Sequence, residues 1–276
     1  MLEIGCKILQ YDKQNKDENM LKAERQAKIL QIISEKSFIK TEELAEKLEV
    51  SHVTVRRDLI TLSKQKLIKL EHGGAAKIVY LETSAEPLYD TKLFVKSEAK
   101  AAMAETAVQM VNDGDILVLD SGTTNYHLAR LLKNRKFTSL TVITSDIMVA
   151  KELSPNNNIT INVLGGILRN SYYNVYGPFT EMVLSNLKAD KYFIAFDGAT
   201  KDRGLSSNLL EEVPVKQKMM EICDEIIAFG DSSKFGFNAP YRICGWNDIT
   251  RVIVDKDLNE DSLDFFKEEN INYCLA

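Results

Sequence analysis

Apolar residues in the first part of the chain recur at the spacing of short helices. Between about residues 21 and 34 they repeat every three or four positions, which predicts an amphipathic helix. A second helix is predicted after Thr41, a good N-cap residue that two glutamates follow. The two apolar stripes comprise Ala23, Ala27, Leu30 and Ile33, and then Leu44, Ala45 and Leu48.

A third helix is predicted after a tight turn at Glu49-Val50. Ser51 is its predicted N-cap, and Val50 and Val55 occupy the two positions of a hydrophobic staple. A short helix, a tight turn and a second capped helix are typical of a helix-turn-helix, whose second helix enters the DNA major groove. The residues expected at its outward-facing front are Ser51, His52, Thr54, Arg56 and Arg57.

Two short strand patterns follow this helix. Residues 67–70 and 75–78 flank His72-Gly73-Gly74, which predicts a β-hairpin, or wing, whose tip at His72 and Gly73 also contacts DNA. Residues 51–77 contain six Lys or Arg and two acids, a local balance of +4 in a chain whose net charge is −5. The simpler alternative is a helical interaction module whose charges only solvate it, but the arginine pair, the wing and the charge reversal favour DNA binding.

The remainder of the chain alternates between strand and helix patterns. Such alternation predicts a parallel sheet with helical crossovers, a Rossmann-like α/β domain over residues 98–276. Residues 1–19 are interpreted as a disordered tail or an over-long start before Met20, residues 20–78 as the DNA-binding domain, and residues 79–97 as a linker. The predicted strands cover 116–120, 140–144, 159–164, 192–196, 225–229 and 250–254.

Small, hydroxyl and charged residues follow five of these strands. Ligands of open α/β sheets bind beyond the carboxyl ends of the strands, so these residues are expected to share one crevice. Amides and hydroxyls where a helix starts near Thr124 suit a phosphate, with Arg169 or Lys234 as the cation. Aspartates would instead accept hydrogen bonds from sugar hydroxyls. The predicted effector set is Asp120, Ser121, Gly122, Thr123, Thr124, Thr144, Ser145, Gly166, Arg169, Asp197 and Lys234.

Each of these features has a simpler structural explanation. The Ser121–Thr124 turn alone is more often helix capping than ligand binding, and Arg169 could be a solvated surface residue. Tyr172, Tyr173 and Tyr176 could line the pocket or a subunit contact. The turn lacks the lysine and spacing of a P-loop and of a dinucleotide fingerprint, and no His, Cys or Asp spacing predicts a metal. No cofactor and no catalytic residue are therefore predicted.

Composition narrows the class of protein. The chain has 276 residues, 45% of them hydrophobic, and its four cysteines are scattered without a C-x-x-C pair. This usage suits a reducing compartment and predicts a cytoplasmic protein. No apolar run is long enough to span a bilayer, and the N-terminus lacks the apolar stretch of a signal peptide.

The quoted residues resemble those of the DeoR family of bacterial transcriptional regulators. In the N-terminal part the resemblance rests on Ser51, on Thr54-Val55-Arg56-Arg57-Asp58-Leu59 and on His72-Gly73-Gly74-Ala75. It implies operator binding by a winged helix-turn-helix, with Asp58 holding Arg57 or a nearby backbone group. In the sensor part it rests on Lys100, Asp120–Thr124, Gly165-Gly166, Arg169, Gly177, Asp197-Gly198, Lys216 and Asp231–Lys234.

The resemblance also implies a fold and a ligand. The family's effector domain is similar to ribose-5-phosphate isomerase, and a phosphorylated sugar is the implied effector. Ser145 stands where the family usually has asparagine, which puts the sugar specificity in doubt, and Pro214 stands where a more helix-compatible residue is expected.

Two functions remain open on the sequence. The first is a DNA-binding regulator, expected to be a repressor of a sugar-utilisation operon, which binds a two-fold operator as a homodimer or homotetramer. The second is a sugar-phosphate isomerase-like enzyme with a helical extension, in which Asp120, Asp197, Glu212 or Lys216 would act as acid or base. A recognition helix and a wing are of little use to an enzyme, so the regulator is favoured.

Overall fold

The computed structural model describes residues 20–78 and 86–276. The predicted tail at residues 1–19, and residues 79–85 of the predicted linker, lie outside the described residues. The chain divides into two compact units, Met1–Val95 and Lys96–Ala276, called here the N-terminal and C-terminal units. None of the helices within the described residues is long and apolar enough to cross a membrane.

The described part of the N-terminal unit is a small helical domain with a three-stranded sheet. Its core contains Ile33, Leu44, Ala45 and Leu48 of the predicted stripes, together with Val55, Leu59 and Leu62. Ile29, which the first predicted stripe did not include, is fully buried there, whereas Ala23 is only half-buried. The elements of the domain are α1 (Lys22–Lys36), β1 (Phe38–Lys40), α2 (Thr41–Lys47), α3 (His52–Lys64), β2 (Ile68–Glu71), β3 (Gly74–Lys77) and α4 (Tyr89–Phe94).

The predicted helix-turn-helix and wing are both present. Between α2 and α3 the chain reverses at Glu49, whose φ of 53° lies in the left-handed region. Strands β2 and β3 pair antiparallel around a turn at His72-Gly73, and β3 also pairs with β1, a three-residue strand that the sequence reading missed. Gly74 permits this second pairing, because a Cβ there would lie 2.2 Å from the carbonyl oxygen of Ile39.

A short helix lies within the predicted linker. Helix α4 contacts α1 and buries the side chains of Tyr89 and Thr91. Residues 89–94 of the predicted linker are therefore helical, and residues 86–95 belong to the N-terminal unit.

The C-terminal unit is built on a seven-stranded parallel sheet in the order β15-β14-β12-β9-β4-β5-β6. All six strands predicted from the sequence belong to this sheet. Its strands are β4 (Ile116–Leu119), β5 (Leu140–Thr144), β6 (Ile159–Val163), β9 (Ala189–Ile194), β12 (Cys223–Phe229), β14 (Arg251–Val254) and β15 (Tyr273–Leu275). Its helices are α5 (Ser97–Val108), α6 (Thr123–Asn134), α7 (Ile147–Leu153), α8 (Pro178–Leu184), α9 (Val213–Glu221) and α10 (Glu260–Glu268).

Helices cover both faces of the sheet. Alternate strand residues point to opposite sides, so Leu117 packs in a core with α5, α6 and α7, while Val118 packs in a second core with α8, α9 and α10. The α/β fold class is confirmed. Short strands outside the main sheet, none of them predicted, are β7 (Ile167–Arg169), β8 (Asn174–Tyr176), β10 (Gly198–Thr200), β11 (Gly204–Ser207) and β13 (Tyr241–Cys244).

Candidate DNA interface and effector site

The front of α3 presents the predicted polar side chains to solvent. Ser51 caps the helix, and its Oγ accepts from the Thr54 amide at 3.2 Å. Thr54 is half-buried, whereas Ser51, His52, Arg56, Arg57 and, at the wing tip, His72 and Gly73 are exposed. Val53, which the sequence reading did not include, is also exposed, and an apolar side chain at this position could contact a thymine methyl group.

Asp58 is buried on the opposite side of α3. Its carboxylate accepts from Arg25 Nε at 2.6 Å and from Gln26 Nε2 at 3.0 Å, both on α1. The partner expected from the sequence was Arg57 or a nearby backbone group, and this expectation was wrong. Because Asp58 pairs across to α1, Arg57 is left on the exposed face.

The Asp120–Thr124 loop lies between β4 and α6. Asp120 is buried beneath the loop, where Oδ1 accepts from the Ser121 amide at 2.8 Å and Oδ2 from the Ala195 amide at 2.9 Å. Oδ2 also pairs with Lys216 Nζ at 2.6 Å. Both oxygens are thus engaged by protein donors, and these bonds tie Asp120 to the loop, to the end of β9 and to Lys216.

Lys216 is as deeply buried as Asp120. Burial opposes its positive charge, but the carboxylates of Asp120 and Glu212 outweigh this cost and raise the pKa of the Lys216 ammonium. Its Nζ also donates to the Ala195 carbonyl at 3.0 Å. Lys216 therefore fixes the ends of β4 and β9 to each other by charge and by hydrogen bonds.

A second buried carboxylate supports the same loop. Asp146 Oδ2 accepts from the Gly122 amide at 2.9 Å, while Oδ1 accepts from the amides of Met148 and Val149 and so caps α7. Burial raises the pKa of Asp146 to about 7. The residue follows the predicted Thr144-Ser145 pair and was not in the predicted set, although an aspartate directly before a helix is a recognisable N-cap signal.

The first amides of α6 lie where the sequence predicts an anion site. The first amides of a helix have no acceptor within it, and the helix dipole favours negative charge at this end. Gly122 has a φ of 129°, which a side chain would disfavour. Thr123 and Thr124 are buried, and Ser121 is half-buried.

Two other predicted residues lie below the surface. Thr144 is fully buried and its Oγ1 accepts from the Asp146 amide at 3.0 Å, which places it in the support of the loop. Ser145 is also buried, and its carbonyl accepts from the Val175 amide at 2.9 Å. This backbone bond joins the end of β5 to the β7–β8 hairpin.

Arg169 lies on that hairpin and is not a free surface cation. Its Nη1 contacts Glu212 Oε1 at 3.1 Å, and its guanidinium lies over the Tyr172 ring at 3.7 Å from the centroid. Asn174 Nδ2 donates to the same Glu212 oxygen at 2.8 Å. Burial raises the pKa of Glu212, and Lys216 and Arg169 partly offset this effect. Gly166 is exposed and approaches α8, since a Cβ there would lie 2.4 Å from Thr180 Oγ1.

Asp197 and Lys234 follow the neighbouring strands β9 and β12. Half-buried Asp197 accepts from the Asn208 amide at 2.8 Å. Lys234 Nζ lies 5.3 Å from the centroid of the Phe196 ring. Burial alone would raise the pKa of Asp231. The nearby charges of Lys234, Lys100 and Lys96 outweigh this effect, together with the hydrogen bond from Ser233, and the pKa is lowered.

The structure thus brings together the ends of the five strands that the sequence selected. Hydrogen bonds join β4 to β5 and to β9, the β7–β8 hairpin contacts the end of β5, and Lys234 reaches the residue next to Asp197. The exposed or half-exposed donors are Ser121, Arg169 and Lys234, and Asp197 is the half-exposed acceptor. Functional candidates missing from the predicted set are Lys96, Lys100, Asn174, Asp146, Glu212 and Lys216. Among the described residues no cluster of three metal-ligating side chains occurs.

Comparison with known proteins identifies the class. Residues 25–79 match the DeoR-like helix-turn-helix domain, and residues 95–256 match the DeoR C terminal sensor domain. The chain is 32% identical to the HTH-type transcriptional repressor GlcR of Bacillus subtilis, over 93% of this chain and 97% of that one. It is 30% identical to the HTH-type transcriptional repressor CsqR of Escherichia coli K12, over 84% and 87% of the two chains.

The chain belongs to the DeoR family. It is a DNA-binding transcriptional regulator with a C-terminal sensor domain, and the enzyme alternative is set aside because the family and the relatives are regulators. A ribose 5-phosphate isomerase of Methanocaldococcus jannaschii aligns with 50% of this chain and 54% of its own, at 17% identity and a TM-score of 0.37. That likeness is too slight to support a conclusion about activity.

Proposed function

We propose that this regulator represses a sugar-utilisation operon and that a phosphorylated sugar, bound at the Asp120–Thr124 crevice, changes its affinity for operator DNA. It would act in the cytoplasm as a homodimer or homotetramer on a two-fold operator. The names of the GlcR and CsqR relatives support the repressor role. The observation that carries the choice of ligand is the α6 N-terminus, which offers amides and hydroxyls at the same edge of the sheet as half-exposed Lys234.

For DNA, we propose that α3 lies in the major groove and the wing tip contacts the backbone. Arg56 and Arg57 are exposed at the front of the helix, and arginine can pair bidentately with guanine or clamp a phosphate. Ser51, His52 and Thr54 surround them, and His72 and Gly73 form the tip of the wing. The Arg25–Asp58 pair joins α3 to α1 on the buried side of the helix, which leaves both arginines on its exposed side.

For the effector, we propose that the phosphate binds the first amides of α6 together with the hydroxyls of Ser121, Thr123 and Thr124. Lys234 would neutralise the phosphate, assisted by the charges of Lys96 and Lys100. Asp197 would accept from a sugar hydroxyl, and Arg169 would donate to another from the hairpin. Asp120, Thr144 and Ser145 would not contact the effector directly but would hold the loop and the ends of the strands in position.

The DNA-binding proposal is tested with labelled DNA from the protein's own upstream region. We expect sequence-selective binding that weakens steeply with salt, and the double variant Arg56→Ala, Arg57→Ala should lose it. The matched control is Lys28→Ala, Lys36→Ala on α1, which removes the same charge from residues outside the proposed interface. Equal losses in the two variants, or no preference for any sequence, would contradict the proposal.

The effector proposal is tested by thermal unfolding of the full chain with a panel of compounds. Pentose phosphates, hexose phosphates, the same sugars without phosphate, and inorganic phosphate are compared at equal concentration. A ligand at one hundred times its Kd stabilises by about 2.7 kcal/mol, which raises Tm measurably. We expect only phosphorylated sugars to do so strongly, and Lys234→Met to abolish the shift. If no phosphorylated compound raises Tm, the effector assignment is wrong. The DNA-binding proposal does not depend on this result.

A further inference from the structure

The outer face of α8 carries apolar side chains that the C-terminal unit leaves exposed. Phe179, Met182 and Val183 are spaced i, i+3 and i+4, so they lie on one side of the helix. Their exposed fractions are 69%, 60% and 42%, whereas Leu184 on the other side is buried in the core. Helix α8 therefore has a second apolar side that its own unit leaves largely exposed.

Strand β7 extends this apolar surface. Ile167 and Leu168 are exposed by 56% and 45%. Ile167 lies against the start of α8, since a Cβ on Gly177 would meet its Cδ1 at 3.5 Å, and Thr180 Oγ1 donates to the Gly165 carbonyl at 2.7 Å. The two elements form one continuous surface, called here the α8–β7 face, which consists of Ile167, Leu168, Phe179, Met182 and Val183.

The sequence around this face is depleted in charge. Between Asn156 and Leu187 the charged side chains are Arg169 and Glu181, whereas a stretch of this length at the chain's average of 27% would carry about eight or nine. Arg169 is engaged by Glu212 and Tyr172. The stretch includes β6, the edge strand of the sheet, which has neither lysine nor proline to protect its free edge. Charge depletion and exposed aromatic and aliphatic side chains together are typical of a protein–protein interface.

We propose that the α8–β7 face is the surface through which two copies of this chain associate. Its five residues expose roughly 500 Å², which lies toward the upper end of the ~300–600 Å² of the largest patch on a typical monomer and, with a polar rim, approaches the ~800 Å² per partner of a stable interface. A surface without charge is self-complementary, because no like charges meet when a two-fold axis brings it against itself. The choice of a second copy as partner rests on the proposed function, since a two-fold operator requires paired recognition helices.

The test measures the mass of the full chain in the absence of DNA and effector. We expect wild type to sediment as a dimer or larger assembly at about 10 µM, and the double variant Phe179→Glu, Met182→Glu to have half that mass. Leu275→Glu is the matched control, because it introduces a charge at an exposed apolar position on β15, the strand at the opposite edge of the sheet. This control should retain the wild-type mass.

A wild type that is monomeric throughout, or a double variant that keeps its mass, would overturn the inference. Should the double variant fail to fold, hydrogen exchange of wild type decides the question. Amides of Pro178–Leu184 other than the proline should exchange more slowly as protein concentration rises, and an unchanged rate would overturn the inference too. The mass is measured without DNA, so the result does not depend on operator binding. A dimer that does not bind operator DNA would therefore refute the proposed function and leave the proposed interface standing.

Discussion

Each unit of the molecule contains a buried carboxylate paired with a buried or half-buried cation, and the two ion pairs have different structural roles. In the N-terminal unit Asp58 meets Arg25 at 2.6 Å, and in the C-terminal unit Asp120 meets Lys216 at the same distance. The Arg25 side chain keeps 13% of its surface exposed, whereas the Lys216 side chain keeps 5%. The first pair fastens two helices to each other and the second supports a ligand loop from below.

This difference in exposure predicts that the two ion pairs differ in how much stability is lost when one partner is removed. A partly exposed arginine that loses its partner can still reach water, whereas a lysine enclosed with its carboxylate cannot. The C-terminal pair is therefore expected to be the more costly one to break. Four changes test this comparison, in order of decreasing effect.

The largest effect is expected for Asp120→Asn. The change removes the carboxylate bonded to the buried Lys216 ammonium and leaves only the more distant charges of Glu212 and Asp197, which should lower the free energy of unfolding of the C-terminal unit by about 3–5 kcal/mol. Urea denaturation monitored through Trp246, which lies in that unit, measures it. The double variant Asp120→Asn, Lys216→Met removes the stranded charge and should recover part of the loss. If the double variant is no more stable than the single one, an uncompensated charge is not the cause.

A smaller effect is expected for Asp58→Asn in the N-terminal unit. Arg25 keeps a second bond, from Nη1 to the Met20 carbonyl at 3.0 Å, and some contact with water. We expect a loss of about 1–3 kcal/mol, measured by urea denaturation of the full chain and followed by far-UV circular dichroism. Arg57→Ala, on the exposed side of the same helix, serves as control and should change stability by about 0.5 kcal/mol or less. A loss larger than that of Asp120→Asn would reverse the comparison.

The third prediction concerns pH and the second support of the loop. Burial raises the pKa of Asp146 from its ordinary value of 3.8 to about 7. Between these two values the folded chain retains a proton that the unfolded chain has released, so this group stabilises at low pH and its contribution is lost as pH rises toward 7. Urea midpoints of wild type should accordingly fall as the pH rises from about 4 to about 7.

The control for this prediction is Asp146→Asn. Asparagine keeps an oxygen for the Met148 and Val149 amides but would turn its own N–H groups toward the Gly122 amide, so some stability and effector affinity are lost. Its unfolding should depend less on pH than that of wild type. An identical pH dependence in the two proteins would exclude Asp146 as its source.

The smallest effect is expected at the cap of the recognition helix. Ser51→Ala removes the acceptor for the Thr54 amide, at a cost of about 1 kcal/mol in the stability of the N-terminal unit. Ser51→Asn retains a capping oxygen and should restore most of it. Thermal unfolding compares the two, and operator affinity separates the cap from a contact with DNA. Equal stability in both variants would mean that the hydroxyl does not act as a cap.

The parts of the fold with long repeating patterns could be predicted from sequence, and the short ones could not. The stripe of Val55, Leu59 and Leu62 spans about two turns of helix, and each of the six predicted strands is an apolar run between polar turns. By contrast, Phe38–Lys40 is too short to show a period and becomes a strand because β3 pairs with it. Tyr273–Leu275 likewise depends on its pairing with β14.

The candidate site, too, could be predicted from the sequence only in part. Its position could be predicted, because the carboxyl ends of parallel strands meet at one edge of a sheet. The division of its residues into ligand-facing and supporting groups could not, because it depends on partners far away in sequence. Asp120 and Thr144 were predicted as ligand contacts, and the structure shows protein partners for them that the sequence did not indicate, Lys216 and Asp146. Asp58 was assigned the wrong partner for the same reason.

The close contact of Gly74 with Ile39 has a consequence for how operator preference can change among related regulators. Any side chain at position 74 would push β3 off β1, so the base of the wing tolerates no substitution. Gly73, at the tip, has open space around its Cβ position but a φ of 75°, which asparagine could also adopt. Substitutions at the tip of the wing can therefore change its contacts one residue at a time, while the pairing of β3 with β1 at its base is preserved by Gly74.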